Sequence, residues 1–420
     1  MTELDVPELY RRHLSSGRAG LAQFTGGHLE TDSAGARVHA SGHEYLDCGG
    51  YGVFLLGHRH PVVTSAVIEQ IGRNPMATRL LLEPTGAVAA QALAAVTPEG
   101  LDRVHFVNSG AEAVEAAIKF ARAQGRTTLV SATNGYHGKT TGALSLTARA
   151  VYQDPFRPLL PDVLHVPYGD AAAIADVLAE HGNRACVVLE PIQGEGGVVL
   201  PPPGYLREVA QLCAEHGALF VLDEVQTGLG RLGTWWGADR EDVVPDVLLV
   251  GKNLSGGVIP VAAAVTTDEI YAPFDKDPLL HTSTFAASPV AMAAAAATIA
   301  VITEEGLVDR ARKLGDQLLL NLRSIVDREV PHLGLEIRGA GLLIGVEAPT
   351  AHIAGDLALE LLSQRVLVNH SLNASTVLRL TPPAVLTEAD LDWLFTAFVV
   401  ALKAVGARHR GTAAALERTS

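Results

Sequence analysis

Lysine is scarce. In 420 residues it occurs only at Lys119, Lys139, Lys252, Lys276, Lys313 and Lys403, and every other cationic side chain is arginine. A chemistry that needs a lysine therefore has few candidates. Cysteine is scarcer still, at Cys48, Cys186 and Cys213. No two form a C-x-x-C pair and none stands near a histidine at metal-ligand spacing, which argues against a zinc site, so no metal is expected. An odd, sparse set fits a reducing compartment. Positive charge is in deficit: 32 Lys+Arg against 46 Asp+Glu give a formal net charge of −14. That balance argues against nucleic acid or a polyanionic membrane face as the main partner. Long apolar runs are missing too. The most apolar stretches, such as residues 290–302, are too short or too alanine-rich to span a bilayer. The opening MTELDVPELYRRHLSSG is charged and does not read as a signal peptide. The expectation is a soluble cytoplasmic protein.

Hydrophobic residues, in contrast, make up 48% of the chain, enough for a large core. Length alone predicts two or three domains at ~150 residues each. After a polar, mixed beginning, EYLDCGGYGVFLLGHRHP gives a short strand followed by glycines. From residue 62 to 297 strands and helices alternate. VTSAVIEQI and AEAVEAAIKFARA have helical periodicity, whereas TTLVSA, ACVVLEPI, ALFVLDEV and DVLLVG are short β-branched runs typical of buried strands. Such alternation predicts an α/β fold, a mostly parallel sheet with helices on both faces, binding its ligand at the carboxyl ends of the strands. Beyond SPVAMAAAAATIAVITEEG the pattern changes. GDQLLLNLRSIVDREV, LALELLSQRVLVN and TEADLDWLFTAFVVALKAVG are helix-rich, LEIRGAGLLIGVEA is a strand pair, and the tail from residue 407 is polar and expected to fray. The predicted organisation is an N-terminal segment, 1–45, packing with the last unit; a large domain, 46–295; and a small α+β domain, 296–420.

Three strand ends carry candidate chemistry. In VHFVNSGAEAVEAAIKFAR a helix starts immediately after Asn108-Ser109-Gly110. Its free N–H groups and dipole suit a phosphate, although Ser109 could equally be a plain helix cap. In ALFVLDEVQTGLGR, Asp223 follows five apolar residues. A carboxylate there needs a cationic or hydrogen-bonding partner, and a protonated pyridine nitrogen would serve; a cap on the following turn is the alternative. In VVPDVLLVGKNLSGGVIPVAAAV, Lys252 stands at the end of a strand ahead of Ser255-Gly256-Gly257. Held there it loses solvation and basicity and becomes a nucleophile, unless it is a surface lysine at a turn. All three fall at the strand ends of one predicted sheet, a combination more specific than its parts.

On these residues the chain resembles the class III, or ornithine/ω-amino, aminotransferases, which are pyridoxal-phosphate enzymes of fold type I. The motifs that carry the resemblance are NSGAEAVEAAIKFAR, GYHGKTTGALSLT, LEPIQGEGGVVLPPPGYL, LDEVQTGLGRLG, VGKNLSGGVIP, HTSTFAASP and LRLTPPAVLT, across roughly residues 40 to 400. Within the family, GKTTGALS and PFRPLLPDVLHVPYG are most similar to the putrescine-type pattern. The resemblance implies pyridoxal 5′-phosphate held by Lys252 in a Schiff base. It places the phosphate on Ser109, Gly110 and Ala111, and Tyr136 stacked on the ring with His137 beside it. Asp223 would pair the ring nitrogen and Gln226 would contact the 3′-oxygen. Thr284 would reach the phosphate from a second subunit, so a homodimer or higher is implied. Arg379 would grip the oxo acid's carboxylate, and Glu195 would neutralise Arg379 while the amine donor is bound.

Three positions depart from the family pattern. Asn253 replaces the usual small residue after the lysine. Ala286-Ala287-Ser288 replaces Gly-Gly-Asn. Lys139 stands where members that handle a donor carboxylate tend to have arginine, and is expected to touch substrate. The expected activity is a two-step transfer from a diamine-like donor, such as putrescine or ornithine, to 2-oxoglutarate or pyruvate. Amination of an aldehyde on a larger intermediate, or an aminomutase or racemase reaction of the same fold, stay open on the sequence. A non-catalytic cofactor-binding protein ranks last, because both Lys252 and Asp223 are present.

Overall fold

The computed structural model describes residues 5–410 of the chain. At its centre is a seven-stranded sheet in the order Arg103–Val107, Ala262–Thr266, Val247–Val250, Leu219–Asp223, Ala185–Leu189, Thr128–Ala132, Val163–Val166. Six strands run parallel; Ala262–Thr266 alone runs against both its neighbours. The reason lies in its connection. Residues 251–261, between it and Val250, hold Lys252 and the following glycines, and are too few to carry the crossover a parallel neighbour needs.

Side-chain alternation buries both faces of this sheet. Leu219, Val221, Val247 and Leu249 join a core with the helix Gly110–Ala123 on one face. Phe220, Leu222, Leu248 and Val250 join the larger core on the other, with the helix Pro289–Glu304. That two-sided burial is why these strands read as continuous apolar runs.

Two four-stranded sheets flank the centre. One runs Glu30–Ala34, Arg37–Ala40, His43–Asp47 and Val366–Leu367, so early and late segments share it. The other runs Glu336–Ala340, Leu343–Glu347, Ala374–Leu380 and Asn369–Ser371.

The polar, mixed beginning forms helices Val6–His13 and Ser16–Phe24 before its strands. LALELLSQRVLVN is helical only to Ser363. Arg365 turns the chain at φ +62°, and the β-branched Val366 begins a strand. The tail expected to fray lies from residue 411 onward outside the described residues. Among those described, no single helix is long and apolar enough to cross a membrane; Pro289–Glu304 and Leu307–Glu329 pass such a test only as a pair bent by 65°.

Gly315, inside the helix Leu307–Glu329, fixes how closely that helix approaches the flanking sheet. A Cβ there would run into the backbone of Gly341, itself at φ +51°. Glycine to alanine inside a helix normally stabilises by roughly 0.5–1 kcal/mol. Here the sign should invert: Gly315→Ala is expected to lower the midpoint of thermal unfolding, and an unchanged or raised midpoint would show that the two backbones can part freely.

Candidate active site

The sheet register brings four parallel strand ends level. Val107 faces Ala262 while Val250 faces Ala263; Asp223 faces Leu249, and Leu189 faces Leu222. Just past these ends lie Ser109, Glu190, Asp223 and Lys252. Two cavities meet there, sharing Gly110 and Lys252. The inner one, about 220 Å³, is lined by Ala111, Tyr136, His137, Lys139, Glu190, Glu195, Asp223, Val225 and Gln226. The outer one, about 330 Å³, touches Ser109, Ser255 and Gly257. A larger cavity of about 660 Å³ sits at the opposite ends of the strands, beside Leu219 and Asp246. Parallel sheets bind ligands at the carboxyl ends, so the smaller pair is the candidate.

Lys252 adopts φ +39°, a left-handed conformation costing a residue with a Cβ of the order of 1 kcal/mol or more. Its Nζ donates to Gln226 Oε1. Burial lowers its pKa below the ordinary lysine value; Arg379 lowers it further, while Glu195, Asp223 and Glu190 oppose. The result is an amine that gives up its proton more readily than a surface lysine.

Asp223 Oδ2 accepts a hydrogen bond from His137 Nδ1 at 2.8 Å, and Oδ1 accepts from the Val225 N–H at 3.1 Å. Burial pulls the His137 pKa down, but the hydrogen bond and charge of Asp223, with Glu190, outweigh it and leave it raised. The imidazole therefore holds its proton and points it at the carboxylate. Gln226 Nε2 is buried with no partner, an amide donor free for a ligand.

Arg379 is fully buried, with Nη1 2.5 Å from Glu195 Oε1. The contact is close but poorly aligned: none of the three guanidinium nitrogens makes a well-directed hydrogen bond. The other Glu195 oxygen accepts the Leu372 N–H at 2.8 Å. A second guanidinium, Arg231, is buried nearby. It donates to the Pro382 carbonyl at 2.7 Å and to Asn253 Oδ1 at 3.4 Å, and burial, reinforced by Arg379, pushes its pKa down to about 9. Asn253 in turn donates to the Gly228 carbonyl at 3.2 Å. The unusual residue after Lys252 thus faces Arg231 beneath the site and lines neither cavity.

The remaining expected residues divide. Lys139 is exposed at the rim, its Nζ 3.9 Å from the centre of the Tyr152 ring and 6.0 Å from that of Tyr136, within cation–π reach. Ser109 caps the helix Gly110–Ala123, its Oγ accepting the Glu112 N–H at 3.3 Å, so the bland reading of that serine describes the geometry seen. The cap leaves the N–H groups of Gly110 and Ala111 without an intrahelical partner. Thr284 is exposed and lines neither cavity.

Two residues escaped the sequence reading. Val225 forms a wall of the inner cavity. Glu190 accepts the backbone N–H of Tyr136 at 2.9 Å and of Gly194 at 3.2 Å, and burial raises its carboxyl from an ordinary 4.5 to about 7. The signal that singled out Asp223, an acid following a buried apolar strand, was equally present in ACVVLE.

That shift sets a pH dependence. The folded protein keeps a proton on Glu190 at pH values where the unfolded chain has lost it, so it binds more protons between about pH 4.5 and about pH 7. The group's contribution to stability is complete below that window and lost as pH rises through it. Glu224, also raised to about 7 by burial, adds a second contribution of the same sign. Glu190→Gln should therefore shrink, without abolishing, the fall in unfolding midpoint across that window. An unchanged slope would assign the titration elsewhere.

Known proteins share this fold over most of the chain. Residues 29–402 match the family model described as aminotransferase class-III. The structure of ornithine aminotransferase from Toxoplasma gondii superposes with a TM-score of 0.86 at 31% identity, covering 97% of this chain and 100% of that one. An (S)-enantioselective ω-transaminase from Thermomicrobium roseum gives 0.87 at 27% identity, covering 95% and 98%. A transaminase from the marine bacterium Virgibacillus gives 0.87 at 25%, covering 96% and 100%. With a family match spanning most of its length, and a half-buried lysine gathered with a buried acid and imidazole at the strand ends, the chain belongs to the class III aminotransferases, enzymes that work with pyridoxal 5′-phosphate.

Proposed function

We propose that the enzyme takes an amino group from an ω-amine or diamine, of the putrescine or ornithine type, and delivers it to an oxo acid such as 2-oxoglutarate or pyruvate, in two half-reactions at one site. The observation that carries this reading is Arg379, a fully buried guanidinium held beside Glu195 with no aligned hydrogen bond. An ornithine aminotransferase and an ω-transaminase among the similar structures support a donor reacting at a terminal amine.

The residues present fit the cofactor. Gln226 Nε2 is an unpartnered donor inside a cavity sized for a small planar ring. Only a glycine at 110 lets the helix start approach Val225, since a Cβ there would lie 2.8 Å from its Cγ1. Asp223 would hold a proton on the ring nitrogen, with His137 fixing the carboxylate. Tyr136 would cover one ring face, Gln226 would contact the 3′-oxygen, and Ser109, Gly110 and Ala111 would cradle the phosphate. Lys252 would bind the cofactor covalently. When bound, the cofactor supplies an electron sink for the carbon that loses its proton.

The chain's own groups do the rest. Lys252 Nζ, its basicity lowered by burial, accepts a proton from the amine-bearing carbon and returns one at the neighbouring atom. Glu195 neutralises Arg379 while a donor that presents no carboxylate at the reacting end is bound, because an unpaired buried guanidinium is costly. When the oxo acid arrives, its carboxylate takes over Arg379 in a charge-assisted, bidentate contact, and Glu195 swings aside. Lys139, at the rim, suits a donor with no carboxylate at that end.

The same reading places Thr284 on the phosphate of a second subunit. Leu80, Leu81 and Leu82, at 91%, 76% and 103% exposure, support a covered face. It also divides the chain into the segment 1–45, a cofactor-binding domain 46–295 and a small domain 296–420, and puts the enzyme in the cytoplasm.

Two measurements test the proposal. Borohydride reduction of the yellow enzyme, followed by peptide mapping, should fix the cofactor on Lys252; an adduct on Lys119, Lys139 or another lysine would refute the assignment. Arg379→Ala should leave the amine half-reaction intact and raise the KM for the oxo acid by about two orders of magnitude, the equivalent of a few kcal/mol. Rapid mixing with amine alone, then with oxo acid alone, separates the halves. Equal slowing of both would make Arg379 structural or seat a carboxylate of the donor on it.

A further inference from the structure

The helices Ala351–Ser363 and Glu388–Arg408 lie against each other, and where the second ends three side chains converge. They are His352, Asp356 and His409, each offering a ligand atom within 4.8 Å of those of the other two. His409 Nε2 is 2.8 Å from Asp356 Oδ2, and the two imidazole rings meet edge-on, 5.2 Å between centroids. His352 and Asp356 are four residues apart on one helix and so project from the same face, one turn apart. His409 caps the other helix and is buried, which fixes its ring, whereas His352 is exposed.

We propose that this triad binds a divalent transition-metal ion of the zinc type through imidazole, carboxylate and imidazole, leaving one coordination position to solvent. Tetrahedral zinc with bonds of about 2.0–2.2 Å puts ligand atoms roughly 3.4 Å apart. Here His409 Nε2 and Asp356 Oδ2 are 2.8 Å apart and no pair of the three ligand atoms exceeds 4.8 Å, with His352, the exposed member, the one free to adjust. Two imidazoles select against magnesium and calcium, which prefer all-oxygen sites.

The surrounding charge also favours a cation. Arg408 lies 3.7 Å from Asp356 but is itself paired with Glu360. Here two carboxylates, Asp356 and Glu360, face the one guanidinium of Arg408. Cysteine spacing gave no hint of such a site, because its ligands come from the two ends of a folded helix pair. A bound ion would cross-link the end of the last helix to its neighbour. This site is remote in role from the amino-transfer machinery, and its proposal does not rest on that reading.

The test uses the cofactor-loaded enzyme, stripped with a chelator, dialysed and titrated with Zn²⁺. Expected are one zinc bound per chain by a chromophoric chelator assay, a rise in unfolding midpoint that EDTA reverses, and the loss of both in His352→Ala. Because His352 is exposed, that variant keeps the fold. Loss of a direct ligand should weaken zinc binding by more than the roughly 10–100-fold typical of an outer-shell partner. Co²⁺ in place of zinc should give visible d–d bands that His352→Ala and His409→Ala both remove. Failure to take up zinc, or uptake and stabilisation unchanged in His352→Ala, would overturn the site. So would a His409→Ala variant whose loss of stability is the same with and without zinc, which would reduce the triad to a hydrogen bond. Transamination measured in the same samples keeps the two proposals separate: it should persist whichever way zinc binding falls.

Discussion

The hydrogen bond from His137 to Asp223 joins two segments far apart in the chain and lies wholly inside the protein. A carboxylate at the end of a buried strand has no water to turn to, so it requires a partner with a proton to give. His137 meets that need only because the loop carrying Tyr136 is itself tied down, through its backbone N–H, to Glu190 on the adjacent strand end. The position of Asp223, the orientation of His137 and the ring of Tyr136 are therefore tied to one another. Each lies just where a sheet covered on both faces ends its strands.

The same dryness explains the second charge cluster. Arg379 and Arg231 are both removed from water, yet they are treated differently. Arg231 is held by backbone carbonyls of Pro382 and Leu342 and by Asn253, a fixed set that spends most of its donors. Arg379 has a carboxylate beside it that is not aligned to hold it. One guanidinium is built into the scaffold; the other is buried without an aligned hydrogen bond. Low dielectric makes that difference large in energy.

Much of this was legible in the sequence. The β-branched runs announced strands buried on both sides, and five apolar residues followed by Asp223 announced a carboxylate in a dry place. Lysine's scarcity narrowed attention to Lys252. What stayed hidden depends on distance along the chain. Glu190 carried the same strand-end signal as Asp223, but its importance comes from accepting the N–H of Tyr136, a contact no local pattern encodes. The reversed strand Ala262–Thr266 follows from the short connection through Lys252, a consequence of loop length rather than of residue type. The early helices went unassigned although Val6, Leu9 and Tyr10 fall at helical spacing, because Val6–His13 is a short piece in polar surroundings that buries none of its side chains.

Asn253 links two positions that sequence comparison would treat as independent. Its side-chain oxygen accepts from Arg231, and its amide donates to the Gly228 carbonyl, so it completes the acceptors around a fully buried guanidinium. Replacing it with a small apolar residue would leave that face of the guanidinium to the Gly52 carbonyl, 3.4 Å away. Residues 231 and 253 are therefore expected to drift in step as the chain diverges, each tolerating only those replacements that its counterpart can still satisfy. Variation beside the lysine would then record the upkeep of a buried cation rather than a change of substrate.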